Sequence, residues 1–424
     1  MAPAPAPASA PIEENIDNVI RKLTTLKPLS FGKRANSKVI DGPQKEWIDK
    51  IPKTTRDRLE KAGIDISQGY PAFPPANEIP RFLDEAYAIR NKEFPYEERA
   101  LKADKEKKAL LGAAKEVRDL TKHIGTEIVG LQLKDLTEQQ KDELALLVAE
   151  RVVVFFRDQD LSPQEQLSLG EYWGQIERHP QASFVPLPER EAEEFAKGSG
   201  ISVIWRRFLN SHFGVDDSFK NRGITSLWHT DLVHEKQPAG LTHLHLDAIP
   251  PVGGDTAWSS GYAAYDKLSP ALQKFLDGKT AIYRSAHAYL DRENPLKGPV
   301  YVEREHPIVR THPATGWKSL FVNRAMTVRI VGLQEGESKL ILDYLFDVFE
   351  KNLDIQVRWT WQPTKEGLGT SAIWDNRVSQ HNAINDYDFV DDYRHGTRVT
   401  ALAEIPFFDP ESKSQREALG LSLD

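Results

Sequence analysis

The chain of 424 residues contains no cysteine and only two methionines. The first absence excludes disulfides, zinc–thiolate sites, iron–sulfur ligation and a thiol nucleophile, and it fits a reducing compartment. No apolar run approaches the roughly 20 residues of a membrane span. The opening MAPAPAPASAP lacks the charged-then-apolar layout of a signal peptide, so a cytoplasmic location is expected. Basic surplus is missing too: 55 Lys and Arg stand against 63 Asp and Glu, a net charge of -8. Nucleic acid is therefore not an expected partner, and neither is a membrane. Apolar residues are not scarce. A hydrophobic content of 40% with 28% charged residues is that of a globular protein. The length allows two or three domains, or one large barrel with extensions. It leaves open whether the chain self-associates.

The first eleven residues hold five Ala and four Pro, a pattern that favours an extended tail. Residues 1–115 read as this tail plus a Pro-punctuated, partly helical extension, with its aromatic point at Tyr70–Phe73 and a charged, solvated helix over about Tyr87 to Arg118. Residues 116–410 read as the main domain and 411–424 as a C-terminal tail. Within the main domain, Thr137 and Gln140 form a capping box, and Leu144, Leu147 and Val148 continue it as a helical stripe. Val152–Phe156 suits a buried strand. Ser162, Pro163 and Glu165 start a second helix. Short strands are expected near 201–205, 239–247, 279–283, 318–323, 355–361, 371–374 and 397–405, with one helix over about Gly336 to Asn352. Many short strands joined by long connections predict a mainly β fold with flanking helices, a barrel or jelly roll.

Twelve histidines are present, and spacing separates them. In Trp228-His229-Thr230-Asp231 an imidazole and a carboxylate stand two apart, which on a strand places both on one side. His381, in the run from Trp374 to His381, offers a third donor 152 residues later. Two His and one carboxylate with the remaining positions open describe a non-haem Fe(II) oxygenase site. A second alternating set, His243, His245 and Asp247, competes with it. Its plainer reading is the polar face of a half-buried strand whose other face is Thr242, Leu244 and Leu246. His234, His306 and His312 read as structural, the last two in a Pro-rich turn region.

Five blocks then occur in order: His229-Thr230-Asp231, Gly253 to Gly261, Arg310-Thr311-His312-Pro313, Trp374-Asp375-Asn376-Arg377 with Gln380-His381, and Arg394 with Arg398. Across about residues 120–408 this resembles the taurine dioxygenase family of Fe(II)/2-oxoglutarate-dependent enzymes. The resemblance is strongest to the sulfonate and taurine dioxygenase-like branch of yeasts and moulds. It implies a double-stranded β-helix of cupin type, with iron on His229, Asp231 and His381. It implies dioxygen and 2-oxoglutarate as cosubstrates, the far carboxylate of the latter on Thr256 and Arg394. A forked, always-charged guanidinium suits that task. On one strand, Arg394 and Arg398 would share a face roughly 13 Å apart.

The resemblance further implies that Arg398 and His179 hold the substrate anion. Around the substrate body this chain departs from the taurine enzymes, with Thr225, Ala182 and Met326 where those have Asn and two aromatic residues. The anion clamp is kept while the pocket changes. An alkyl sulfonate bulkier than taurine, or a sulfate ester, is the expected substrate, with release of sulfite or sulfate, an aldehyde, succinate and CO2. A carboxylate, purine or natural-product intermediate is the alternative with the same cofactors. A non-catalytic jelly-roll binding protein is the alternative outside the enzyme class.

Overall fold

The computed structural model describes residues 42–75, 78–180, 182–188, 198–213, 227–388 and 393–422. Ten strands make its two central sheets: β1 (Glu116–Asp119), β2 (Thr126–Val129), β3 (Val153–Gln159), β4 (Ser202–Trp205), β5 (Ala239–Ala248), β6 (Thr256–Ser260), β7 (Gln356–Trp359), β8 (Gly369–Asp375), β9 (Ser379–Ala383) and β10 (His395–Leu402). The larger sheet has the order β1-β2-β3-β8-β5-β10-β4 and the smaller β7-β6-β9. All pairs are antiparallel except β2 with β3. The expected jelly roll is what these two sheets form.

Aromatic and branched residues fill the space between the sheets. Phe155 of β3 stacks on Trp359 of β7 at 4.2 Å and meets Trp258 of β6 edge-on at 5.2 Å. Leu244, Leu246, Ala372 and Trp374 close the same cluster. The outer face of the larger sheet is covered as well. Helices α1 (Lys53–Lys61), α2 (Glu138–Arg151) and α3 (Pro163–Trp173) lie over it. Val154, Phe156, Ile373 and Val399 there meet Leu144 and Val148 of α2, Leu167 of α3, and Trp47, Leu59 and Tyr70 of the extension. Both expected helix starts are present: Thr137 and Ser162 each accept from the amide three residues on, and Gln140 and Glu165 reach back. The helix expected over 336–352 spans Glu335–Lys351.

Three expectations are corrected. The charged helix over 87–118 is broken into a helix at Leu83–Arg90, a single turn at Arg99–Lys102, a helix at Lys108–Ala113 and β1. Pro95 denies the helix an amide. Charged side chains here also turn inward: those of Arg90 and Glu98 are only 4% and 7% exposed. Second, β5 is not half-buried but buried along its whole length, because α1 of the extension and α3 cover the face that a bare sandwich would show to water. Third, His306 lies in a strand, Val300–Pro307, rather than a turn.

Candidate metal centre and its anion-binding flanks

His229 and His381 face each other across an isolated antiparallel bridge, each amide donating to the other's carbonyl at 3.1 and 2.8 Å. Directly opposed residues in such a pair project to one side, so the two rings sit 4.2 Å apart. Asp231 follows in a turn in which Leu232 takes a φ of 56°. The shared direction of His229 and Asp231 therefore comes from a bridge and a turn, not from the strand alternation expected. Asp231 lies 3.7 Å from His229 Nε2 and 3.9 Å from His381 Nε2. One donor atom from each of the three residues lies within 4.8 Å of the others, and theirs is the only such group among the described residues.

The state of the donors suits a cation. Burial and the neighbouring His229 push the His381 imidazole down to about 3, leaving its lone pair free at neutral pH. Burial alone would raise the Asp231 carboxyl, but Arg398, His381 and His229 outweigh it and hold it below the usual carboxylate range. His229 Nδ1 is fixed by the Leu227 carbonyl at 2.7 Å, which turns Nε2 toward the other donors. Two imidazoles and a carboxylate with open remaining positions fit Fe(II).

Trp374-Asp375-Asn376-Arg377 is the frame beneath this site. Asn376 Oδ1 accepts from the Asp231 amide at 3.2 Å, while its Nδ2 donates to Gly240 O and Thr242 Oγ1. Asp375 is gripped by Arg377 and by His312 at 3.0 Å. Arg377 in turn reaches Tyr96 and Glu98 of the extension. His312 is thus structural, as expected. His234 is also buried, 3.3 Å from Glu235, itself paired with Arg90.

On one flank Arg394, just ahead of β10, donates to Gly254 O at 2.9 Å and reaches Thr256 Oγ1 at 3.4 Å. Gly254 adopts a φ of +72°, and a Cβ there would meet Pro250 at 2.9 Å and Arg394 at 3.2 Å, so glycine permits the approach. On the other flank Arg398 Nη1 lies 3.3 Å from both Asp231 oxygens. His179 is half-buried with its ring 4.8 Å from that of His287, and burial together with His287 and Arg90 keeps it well below its ordinary value. Ala182 follows in the same turn, its amide donating to His179 O. Met326 is buried in an apolar cluster with Val233, Phe321 and Val322. Thr225 lies outside the described residues.

The competing trio does not converge on one point. His243 Nε2 and His245 Nδ1 both meet the Ser371 hydroxyl, at 2.9 and 3.0 Å. Asp247 is taken by His395, Thr55 and Arg58. Sequence reasoning passed over Glu177, whose carboxyl burial lifts to about 7 against the pull of Arg398. Its one visible signal was adjacency to Arg178-His179.

A jelly roll carrying two imidazoles and one carboxylate within 4.8 Å of one another has the arrangement of a non-haem iron oxygenase. The profile for "Taurine catabolism dioxygenase TauD, TfdA family" matches residues 116–400, and the chain belongs to that family. A Schizosaccharomyces pombe protein provisionally described as an alpha-ketoglutarate-dependent sulfonate dioxygenase is 36% identical over 348 residues, 81% of this chain and 83% of its own length. The alpha-ketoglutarate-dependent sulfonate dioxygenase of Saccharomyces cerevisiae is 36% identical over 306 residues, 69% of this chain and 68% of its own. A taurine dioxygenase structure from Burkholderia xenovorans superposes with a TM-score of 0.54 at 26% identity, covering 70% of this chain and 93% of that one.

Proposed function

We propose that this protein is an Fe(II)- and 2-oxoglutarate-dependent dioxygenase that hydroxylates an alkyl sulfonate or sulfate ester at the carbon bearing the sulfur group. The observation that carries it is the placement of two arginines around one donor cluster, Arg394 beside Thr256 and Arg398 against Asp231. His229, Asp231 and His381 would hold the iron, which supplies dioxygen activation and the oxidation of an unactivated C–H bond. Arg394 and Thr256 would take the far carboxylate of 2-oxoglutarate by charge-assisted hydrogen bonds.

Arg398 would trade Asp231 for the substrate anion, and neutral His179 adds a hydrogen bond without adding charge. The clamp recognises a three-oxygen anion and does not separate a sulfonate from a sulfate monoester. Ala182, Met326 and Thr225 are the positions assigned to the substrate body. Hydroxylation beside the sulfonate places a hydroxyl and a sulfonate on one carbon. Cleavage of the C–S bond, with loss of the hydroxyl proton, then gives an aldehyde and sulfite.

The intact donor trio argues against a non-catalytic binding protein. A cytoplasmic location fits a chain free of cysteine, and no helix among the described residues is long and apolar enough to cross a membrane. The test is a panel of alkyl sulfonates, sulfate esters and carboxylates incubated with iron-loaded protein, scored by succinate and by sulfite or sulfate. Sulfonates or sulfate esters should lead, with chains longer than taurine turned over at least as well. Turnover confined to carboxylates or neutral compounds would refute the anion assignment.

A further inference from the structure

The extension at residues 42–113 lies ahead of the family match, which starts at residue 116, yet it is bonded to the back of the strand that follows Arg394. Along β10 the side chains alternate. Arg398 faces Asp231, whereas His395 and Thr397 face the extension. There Tyr70 OH bonds His395 Nε2 at 2.8 Å, and His395 Nδ1 bonds Asp247 Oδ1 at 2.7 Å. Asp247 accepts from Thr55 at 2.6 Å and from Arg58 at 2.9 Å. Arg58 also donates to Thr397 Oγ1 at 2.9 Å and to Leu161 O at 2.7 Å. Thr55, Tyr70, His395 and Thr397 are fully buried. Trp205, opposite His395 on β4, packs edge-on against Trp47 at 5.3 Å.

The strand needs such a hold at this point. Its ladder with β5 slips between His395, opposite Ala248, and Gly396, opposite Leu246. The residue skipped is Asp247 of β5, a bulge that turns its carboxylate out of the ladder beside the point where β10 begins. Arg398 is held in register with β4, but Arg394 lies one residue outside both ladders of β10, so backbone pairing does not set its direction relative to Arg398. The bonds to His395 and Thr397 grip one residue on each side of the irregularity.

We propose that Thr55, Arg58 and Tyr70 of the extension, acting through Asp247 and His395, are positioning residues that aim Arg394 and Arg398 at their anions. The proposal rests on the reading that Arg394 binds 2-oxoglutarate. The extension is then part of the working site, and 2-oxoglutarate affinity depends on residues that never touch the cosubstrate.

The test uses the full chain loaded with Fe(II) under anaerobic conditions, with 2-oxoglutarate titrated by metal-to-cosubstrate charge-transfer absorbance. Tyr70→Phe keeps the buried ring and removes one hydroxyl; Thr55→Val is the second, nearly isosteric variant. Tyr70→Phe should raise the Kd for 2-oxoglutarate roughly five- to tenfold, the worth of one hydrogen bond, with iron affinity unchanged. Thr55→Val should act in the same direction. In an Arg394→Lys background the Tyr70 change should add no more than about twofold, since the group it positions is gone. Equal penalties in both backgrounds, or unchanged 2-oxoglutarate affinity in folded Tyr70→Phe and Thr55→Val, would overturn the proposal. An Arg394→Lys protein that binds 2-oxoglutarate normally would instead overturn the cosubstrate assignment, and this proposal with it.

Discussion

Two trios of the same composition, His229/Asp231/His381 and His243/His245/Asp247, occur in one chain with opposite fates. The second is the tidier in sequence, with three ligand-type residues alternating on one strand. Yet its donors do not converge: one serine hydroxyl serves both rings, and the carboxylate is turned to His395, Thr55 and Arg58. The first trio is scattered over 152 residues, but its Nε2 atoms and carboxylate converge within 4.8 Å. The difference teaches that ligand spacing offers only candidates. A site needs donors whose lone pairs meet at one point.

The largest effect breaks the comparison outright. Asp231→Ala should abolish turnover and weaken iron binding by about a hundredfold or more, since losing even an outer partner of a ligand costs roughly 10–100-fold. His243→Ala should keep iron affinity and both Michaelis constants while costing about 1–3 kcal/mol of stability through the hydrogen bond it removes. Iron titration and urea unfolding of the two variants separate the outcomes, and the reverse pattern would interchange the trios.

The closed trio should matter to stability and not to the metal. Asp247→Asn breaks a buried ion pair and should cost about 3–5 kcal/mol in urea unfolding, with iron affinity unchanged. Burial alone would raise the Asp247 carboxyl, but His395 and Arg58 hold it well below the carboxylate range. A depressed folded-state value gives stability that is present above the unfolded value, near 4, and is lost as the pH falls below it. The variant should therefore lose less stability than wild type on acidification from pH 5 to pH 2.

What could be read from the sequence follows from how local each signal was. The capping boxes at Thr137 and Ser162 and the buried run from Val152 to Phe156 are contiguous patterns and stand as expected. The converging trio was legible because Trp228–Asp231 and Trp374–His381 are distinctive as blocks, although the bridge that aligns them was not. Strands β6 and β9 and the strand Val300–Pro307 went unpredicted. β9 carries Ser, Gln, His and Asn, polar residues chosen for the site and not for the sheet. The extension's grip on the core joins Tyr70 to His395 and Thr55 to Asp247, pairs separated by 325 and 192 residues. No periodicity announces a contact of that range.

Around the open trio the arginines set the next scale of effect. Arg394→Lys keeps the charge and loses the fork, and should raise the 2-oxoglutarate requirement about tenfold or more, a charged hydrogen bond being worth roughly 1.5–3 kcal/mol. Iron affinity should stay as in wild type. Steady-state kinetics at fixed substrate reads the first quantity, and an unchanged 2-oxoglutarate dependence would remove Arg394 from the site.

The smallest effect sharpens the comparison at its carboxyls. Asp247, the carboxylate of the closed trio, is held down by His395 and Arg58, whereas Glu177, near the open one, is lifted by burial to about 7 although Arg398 and Arg90 pull the other way and Asp231 adds to the rise. A raised folded-state value means that Glu177 keeps its proton between the unfolded value near 4.5 and about 7. Its contribution to stability is therefore lost as the pH rises through that window. The same ionisation bears on binding. A charged Glu177 would compete with the substrate anion for Arg398 and repel it, while the protonated acid does neither. His179 and His234 stay neutral across this range because burial keeps both well below their ordinary value, so they add no opposing step. The apparent affinity for an alkyl sulfonate should weaken by about three- to tenfold from pH 6 to pH 8, the size expected of one partly screened charge at short range. Glu177→Gln should flatten that profile near its acid limit and leave the 2-oxoglutarate requirement as it is. A profile of wild-type steepness in the Gln variant would show that another group carries the titration.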